Sequence, residues 1–92
     1  MIENIQHKGI RLFFEDNNFS KLPPHLIDKI RDILTLLDTI ESIEEMDIPG
    51  YRLHQLSGKL SDFWSVKVNA NFHIIFRFED GNAYDVDYLD YH

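Results

Sequence analysis

The last three residues of the chain combine three side chains that can hold or move a proton. Asp90, Tyr91 and His92 supply a carboxylate, a phenol and an imidazole, and Lys67 and His73 stand earlier in the sequence. Histidine suits both proton uptake and release because its unperturbed pKa is about 6.5. One reaction that needs this set and no metal is RNA cleavage through the 2′-hydroxyl. A base takes the hydroxyl proton, an acid protonates the leaving 5′-oxygen, and cations stabilise the phosphorane. Spacing alone does not select this reaction.

Strand register predicts that these groups meet at one end of a sheet. Three stretches alternate apolar and polar residues with a period of two and are predicted antiparallel strands: 62–69, 71–78 and 84–88. Matching the apolar faces of the first pair sets Lys67 opposite His73. Continuing the last strand brings the terminal residues beside Asn71, and directly opposed residues have Cβ atoms only about 5 Å apart. The terminal triplet is therefore predicted to lie close to Lys67, His73 and Asn71.

The turn of the last hairpin is predicted to contain three residues, 80–82. A two-residue turn would set Phe76 opposite Asp85, which mixes an apolar face with a solvent face. The three-residue turn instead gives these opposed pairs: Phe78 with Tyr84, Phe76 with Val86, Ile74 with Tyr88, and Arg77 with Asp85 on the solvent face.

The elements before the strands are predicted to be helical. Residues 7–18 read as a short helix, and 22–42 read as a longer one whose apolar positions recur at helical spacing. A short helical turn follows at 42–46, and residues 1–5 read as a short strand or an extended entry. Helices followed by an antiparallel sheet make an α+β two-layer domain, with N-terminal helices packed on a C-terminal sheet. At 92 residues the whole chain, 1–92, is predicted to be one domain.

The composition favours a folded protein in a reducing compartment. Hydrophobic residues make up 43% of the chain and cysteine is absent, so neither a disulfide framework nor a cysteine metal cage is expected. No signal peptide or apolar run of about 20 residues is visible. We therefore expect a cytoplasmic protein that is neither exported nor membrane-spanning.

Charge is distributed unevenly along the sequence. The net charge of -7 argues against a protein that coats nucleic acid through bulk electrostatics. Residues 50–77, however, carry a formal charge of +3, while the segments on either side carry -5 each. The positive segment contains Arg52, Lys59, Lys67 and Arg77, and it also includes His54 and His73. It is the only locally positive segment of the sequence, and scattered solvated charges are the alternative explanation for its sum.

Residues 51–92, together with His7-Lys8-Gly9, resemble the HigB toxins of the RelE-type superfamily. The resemblance runs over essentially the whole chain. Its most specific pieces stand in order: His54 followed by Leu56-x-Gly58, then Trp64-Ser65-x-x-Val68-x-x-Asn71, and the terminal Asp90-Tyr91-His92. The last triplet alone would be a weak signal, but the series is a specific one.

The resemblance implies a compact α+β ribonuclease that cleaves mRNA in the ribosomal A site without a metal or other cofactor. It implies that His54 and His92 transfer protons, with neither assigned as base or acid. Tyr91 would orient or stack on a base or assist at the phosphate, and Asp90 would position a neighbour. Lys67, His73, Asn71 and Lys59 are weaker candidates for binding the substrate.

The sequence departs from this family at two positions that matter for charge. Many relatives have lysine where this chain has Ser57 and arginine where it has His73. Serine carries no charge, and histidine is mostly neutral at pH 7 unless an anion raises its pKa. We therefore expect a ribonuclease of reduced rate, or one whose activity rises as the pH falls.

The resemblance also implies partners. They are a HigA-like helix-turn-helix antitoxin, the ribosome and mRNA, with DNA contacted only through the antitoxin and no role for a membrane. One alternative is a degenerate toxin that binds its antitoxin and tunes transcription without catalysis. A weaker alternative is a metal-dependent hydrolase that uses His54, Asp90 and His92.

Overall fold

The first helix is defined by the residues that cap it. In the computed structural model, which describes residues 1–90, α1 spans Lys8–Asp16. At its start, Nδ1 of His7 accepts a hydrogen bond from the Ile10 N–H at 3.2 Å. At its end, Asn17 adopts a left-handed backbone (φ 55), and its N–H reaches the Phe13 carbonyl at 3.0 Å. Asparagine suits that position because it tolerates positive φ. The helix predicted over 7–18 is confirmed.

The second helix buries the predicted apolar stripe. A 3-10 turn at Pro24–Leu26 leads into α2, Ile27–Thr39, and a second 3-10 turn follows at Ile43–Met46. The stripe residues are each 7% exposed or less: Leu26, Ile30, Ile33, Leu37 and Ile40. Among residues 1–90, no helix is long and apolar enough to cross a membrane.

Four antiparallel strands form the other layer. They are β1 (His54–Gln55), β2 (Trp64–Lys67), β3 (Phe72–Glu79) and β4 (Asn82–Asp90), and they lie side by side in chain order. A 3-10 turn, Gly58–Leu60, connects β1 to β2. Side chains from both helices and from one face of the sheet form a single buried cluster. The α+β fold with helices packed on an antiparallel sheet is confirmed.

The register between β2 and β3 is the predicted one. Val66 pairs with Ile74 and Lys67 pairs with His73. The Val68 N–H donates to the Phe72 carbonyl at 2.9 Å, which closes the hairpin. Lys67 and His73 therefore lie side by side on the face of the sheet that points away from the helices.

The predicted turn of the last hairpin is wrong, although half of the predicted register is right. Asp80 and Gly81 both have positive φ (50 and 80), and Glu79 pairs with Asn82, so the turn contains two residues. This is the turn that an Asp-Gly pair favours. Near the turn, the paired residues are therefore Phe78 with Ala83 and Arg77 with Tyr84. Further along, the predicted register returns, because Ile74 pairs with Tyr88, and the next pair in the same register is His73 with Leu89.

A bulge at Asp85 explains how both registers occur in one hairpin. The pairing shifts by one residue between Ile75 and Arg77, and Asp85, on the opposite strand, has a left-handed backbone (φ 53). One extra residue on a bulged strand returns the following side chains to the correct face. The crossed faces that argued against a two-residue turn are thereby avoided, and Val86 is fully buried.

The Asp85 side chain holds the bulge in place from three sides. Its carboxylate accepts hydrogen bonds from Asn4 Nδ2 at 2.8 Å, Gln6 Nε2 at 2.9 Å and Arg77 Nε at 2.8 Å. Its backbone N–H donates to Asn4 Oδ1 at 2.9 Å. The hydrogen bonds from Asn4, Arg77 and Gln6 lower the pKa of Asp85 to about 2.

The N-terminal residues cover the outer edge of β4. Ile2 bridges to Ala83 and Ile5 bridges to Val86, both in parallel orientation. The Gln6 N–H donates to the Val86 carbonyl at 2.7 Å. The extended entry predicted over 1–5 is thus confirmed, and it satisfies backbone groups that an open sheet edge would expose.

Replacing Asp85 with asparagine tests the bulge. Asn tolerates positive φ and keeps an oxygen for Asn4 and Gln6, but it removes the charge that faces Arg77. We expect the Tm of Asp85→Asn to fall by a few degrees at pH 7. The folded-state pKa is depressed from 3.8 to about 2, so the contribution of the charge is complete above pH 3.8 and is lost as the pH falls through about 2.

Thermal unfolding of both proteins between pH 7 and pH 2 measures this effect. The Tm difference should be constant above pH 4 and should shrink below it. Asp80→Asn is the matched control, because it makes the same change at another left-handed residue, which lies in the turn. A Tm difference that persists unchanged at pH 2 would show that the carboxylate charge is not what stabilises the bulge.

Candidate active site

The positively charged segment of the sequence forms one wall of an open pocket. The pocket has a volume of about 550 Å³, and six described residues line it: Arg52, Leu53, His54, Lys67, Ala70 and His73. Two of these side chains are permanent or near-permanent cations and two are imidazoles, while none of the six is acidic. The protein as a whole carries a net charge of -7, so this pocket differs sharply from the average surface.

His54 is held by a hydrogen bond that fixes its tautomer. It lies on β1, opposite Ser65 of β2, and its ring is exposed. Its Nδ1 lies 2.8 Å from the Arg52 carbonyl oxygen. Because a carbonyl can only accept, Nδ1 must carry the proton, and in the neutral ring Nε2 is the unprotonated nitrogen. A neutral imidazole with a free Nε2 can take a proton from a substrate hydroxyl.

Arg52 lines the same pocket and has an unusual backbone. Its φ is 50, which lies in the left-handed region. Arginine is uncommon in this region, because residues other than glycine rarely adopt a positive φ. The sequence pattern gives no role to Arg52 beyond its share of the positive segment. The structure adds Arg52 to the site because this residue lines the pocket and its carbonyl is hydrogen-bonded to His54.

His73 is partly buried beside a buried serine. Ser65 is 0% exposed, and its Oγ lies 3.3 Å from His73 Nδ1, within hydrogen-bonding distance. The alternation of the strands predicts that this face of the sheet is open to solvent. Ser65 pairs with Ile75, which is only 4% exposed, so the centre of the face is buried instead. The two residues lie on the two inner strands of the sheet, which are flanked on both sides by other strands.

The surroundings of His73 oppose its protonation. Burial lowers the pKa of His73, and the neighbouring His54 and Lys67 lower it further. In the free protein His73 is therefore mostly neutral at pH 7, and it takes up a proton only at a lower pH than an ordinary histidine. Any gain of activity from a charged His73 is shifted to more acidic conditions, unless a bound phosphate raises the pKa again.

Three other members of the positive segment lie outside the pocket wall. Lys59 is exposed in the 3-10 turn between β1 and β2. Arg77 pairs with Asp85 at 2.8 Å and with Glu79 at 3.7 Å, so nearby carboxylates offset its charge. Asn71 is exposed in the turn between β2 and β3, next to Ala70 of the pocket, and its N–H donates to Asn69 Oδ1 at 3.0 Å. Of the four lysine and arginine residues in the positive segment, Arg52 and Lys67 line the pocket, whereas Lys59 and Arg77 do not.

The end of β4 is anchored beside β3. Phe72 pairs with Asp90, and Tyr88 stacks on Phe72 with ring centroids 5.0 Å apart. The Tyr88 hydroxyl is buried without a hydrogen-bond partner among the described residues, and burial followed by the Asp90 charge raises its pKa to about 12. This packing fixes β4 as far as Asp90. The predicted site residues Tyr91 and His92 lie outside the described residues.

No metal site is visible in the part of the chain that the structure describes. Among residues 1–90, no three histidine, aspartate or glutamate side chains lie close enough together to hold a metal ion. The metal-dependent alternative also requires His92, which lies outside that range.

Comparison with known families decides what kind of protein this is. Residues 3–92 match the HigB-like toxin family, described as RelE-like toxins of the type II toxin–antitoxin system HigB. The chain belongs to the HigB-like toxins. This toxin is 41% identical over 92 residues to a Proteus vulgaris protein named Endoribonuclease HigB, with both chains covered completely. It is 32% identical to Toxin HigB-1 of Vibrio cholerae serotype O1, over 100% of this chain and 98% of the other.

Solved structures confirm the fold of this HigB-like toxin. A YoeB–YefM complex from Staphylococcus aureus matches with a TM-score of 0.63 and 15% identity, over 100% of this chain and 95% of that one. YafQ from E. coli matches with a TM-score of 0.60 and 14% identity, over 95% and 91% of the two chains. The resemblance predicted from the sequence is confirmed at the level of family and fold.

The electrostatics of the pocket can be tested by titrating the histidines. We expect His73 to titrate below the ordinary histidine pKa of 6.5. In Lys67→Met the pKa of His73 should rise, because one positive neighbour is removed, but it should stay below 6.5 because burial is the larger cause.

NMR titration of the imidazole resonances of the wild-type toxin and Lys67→Met measures both values. A His73 pKa at or above 6.5 in the free wild-type protein would contradict the described environment.

Proposed function

We propose that this toxin is a metal-independent, ribosome-dependent endoribonuclease that cleaves mRNA in the A site. The observation that carries the proposal is the contact of His54 Nδ1 with the Arg52 carbonyl in a cationic pocket, which leaves Nε2 of the neutral ring as the nitrogen that can accept a proton. In the proposed reaction, Nε2 takes the proton from a 2′-hydroxyl, and the 2′-oxygen attacks the adjacent phosphorus. The 5′-oxygen leaves as it receives a proton, for which His92 is the proposed donor.

The remaining predicted residues take supporting roles in this proposal. Lys67 stabilises negative charge on the phosphorane in this proposal, because it is a cationic residue that lines the pocket together with His54 and His73. Asp90 and Tyr91 position His92 or a base of the substrate. Asn71, which follows Ala70 of the pocket lining, and the exposed Lys59 would contribute to a wider contact with RNA. The name of the Proteus vulgaris relative, Endoribonuclease HigB, supports the reaction class.

The charge of the protein favours delivery of the substrate by the ribosome. A net charge of -7 repels naked RNA over long distances, while the local pocket still attracts a phosphate at short range. We therefore expect the toxin to act on ribosome-bound mRNA in the cytoplasm. The purified toxin should cleave naked RNA poorly when ribosomes are absent.

Membership of a type II toxin–antitoxin family gives the toxin an antitoxin partner, which we propose is a HigA-like helix-turn-helix protein. Through that partner the complex would contact promoter DNA and repress its own transcription. This role needs only binding, so it could remain in a toxin that has lost catalysis. The lowered pKa of His73 and the presence of Ser57 are the features that favour this second candidate function.

Inducible expression of three proteins tests catalysis: the wild type, His54→Ala and His92→Ala. Wild-type toxin should arrest growth and produce new mRNA 5′-ends, whereas both variants should permit growth. Loss of a general acid or base costs about 10²–10⁴-fold in rate, which is enough to abolish toxicity. His25→Ala is the matched control, because it removes an exposed imidazole outside the pocket.

Harmless wild-type toxin that still binds its antitoxin would support the non-catalytic binding module and reject the nuclease. Cleavage by purified toxin should also persist in EDTA. Loss of cleavage on chelation, with recovery when a divalent metal is added, would instead support the metal-dependent alternative.

A further inference from the structure

Arg52 has no role in the reaction proposed above, although three features connect it to the site. It lines the pocket, its backbone has a positive φ, and its carbonyl is hydrogen-bonded to His54. We propose that the Arg52 guanidinium binds the scissile phosphate of the RNA, and that its carbonyl orients the base His54. This inference rests on the proposed endoribonuclease function and adds a phosphate-binding residue to it.

The first support is the charge balance of the pocket. Arg52 and Lys67 are the two lysine or arginine side chains among the six described residues that line it. His73 does not add to their charge at neutral pH, since burial, His54 and Lys67 all lower its pKa. A guanidinium is always protonated and presents parallel N–H donors that match two oxygens of one phosphate. Arg52 is therefore the described group in this pocket best suited to hold a phosphate by its geometry as well as by its charge.

The second support is the backbone of Arg52. Its φ of 50 lies in a region that glycine, asparagine and aspartate adopt more readily than arginine. Gly50, two residues earlier, also has positive φ (93), and the carbonyl of Tyr51 between them accepts the Lys67 N–H at 2.6 Å. Glycine, asparagine or aspartate would adopt this backbone conformation at a lower cost in free energy than arginine does. The presence of an arginine in this conformation is explained if its side chain has a task in the pocket.

The third support is the link between Arg52 and the proposed base. The carbonyl of Arg52 accepts the Nδ1 proton of His54 at 2.8 Å, so the two residues hold each other in place. The carbonyl of the neighbouring Tyr51 accepts the N–H of Lys67, the other cationic residue of the pocket, as described above. Phosphate binding by Arg52 and proton removal by His54 are therefore coupled through one short stretch of backbone, which sets the distance between the attacked phosphorus and the base.

Substitutions at position 52 separate the side chain from the backbone. Arg52→Gly removes the guanidinium and relieves the unfavourable φ, so the protein should fold with unchanged or higher Tm. Arg52→Gln removes the charge, and Arg52→Lys restores a charge without the paired donors. Arg11→Gln, on α1, is the matched control for the loss of one arginine.

Single-turnover cleavage of mRNA on programmed ribosomes gives the first readout. We expect Arg52→Gly and Arg52→Gln to lower the rate by roughly 10²-fold, as removal of one preorganised donor to a charged transition state does. Arg52→Lys should recover part of this loss, and Arg11→Gln should cleave at the wild-type rate. Full activity of Arg52→Gly beside an active wild type would overturn the inference while leaving the proposed nuclease intact.

A sulfur substitution at the scissile phosphate gives a readout that a purely structural role would not change. Replacing one non-bridging oxygen with sulfur should slow the wild-type enzyme for one of the two stereoisomers, because sulfur is a poorer hydrogen-bond acceptor. In Arg52→Gly this difference between oxygen and sulfur should be largely lost. An undiminished sulfur effect in Arg52→Gly would show that Arg52 does not contact those oxygens. A wild-type toxin that fails to cleave on ribosomes would overturn the proposed function and this inference together.

Discussion

The contact between the Asp85 carboxylate and the Arg77 guanidinium, at 2.8 Å, joins β4 to β3 at the point where their pairing changes. It stabilises a bulge that changes the pairing of β3 and β4 by one residue. On the turn side of the bulge, the chain uses the two-residue turn that Asp80-Gly81 favours. On the other side, the strand presents Val86 to the core and runs antiparallel to β3 as far as Asp90.

The pocket follows from the same arrangement of strands. β1 brings His54 beside Ser65, and β2 and β3 bring Lys67 beside His73, all on the face opposite the helices. The result is a small region in which cations crowd two imidazoles within an acidic protein. Burial, and after it the neighbouring His54 and Lys67, lower the pKa of His73. Arg52 and Lys67 are then the charged side chains of the pocket lining that are available to a phosphate at neutral pH.

Much of this arrangement could be predicted from the sequence. The stripe from Leu26 to Ile40 identified α2, and the alternation around Lys67 and His73 fixed the register of β2 and β3, because apolar faces must match. The bulge could not be predicted, since it depends on Asn4 and Gln6, which are distant in sequence and reach Asp85 only in the folded chain. The role proposed for Arg52 could not be predicted from the sequence for a similar reason. A positive φ and a carbonyl hydrogen bond leave no mark on a single sequence, whereas the histidines and the terminal triplet do.

The support of the bulge by the N-terminal segment has a consequence for how the chain acquires its structure. Asn4 and Asp85 are separated by 81 positions, so their contact can form only when the chain between them is present. Contacts of such long range slow folding, because the entropy of closing a large loop opposes them until late. During synthesis Asp85 follows β1, β2 and β3, so the bulge and the final register of β4 can form only after those strands have been made. The pairing of β4 with β3 is therefore one of the later steps by which the chain acquires its structure.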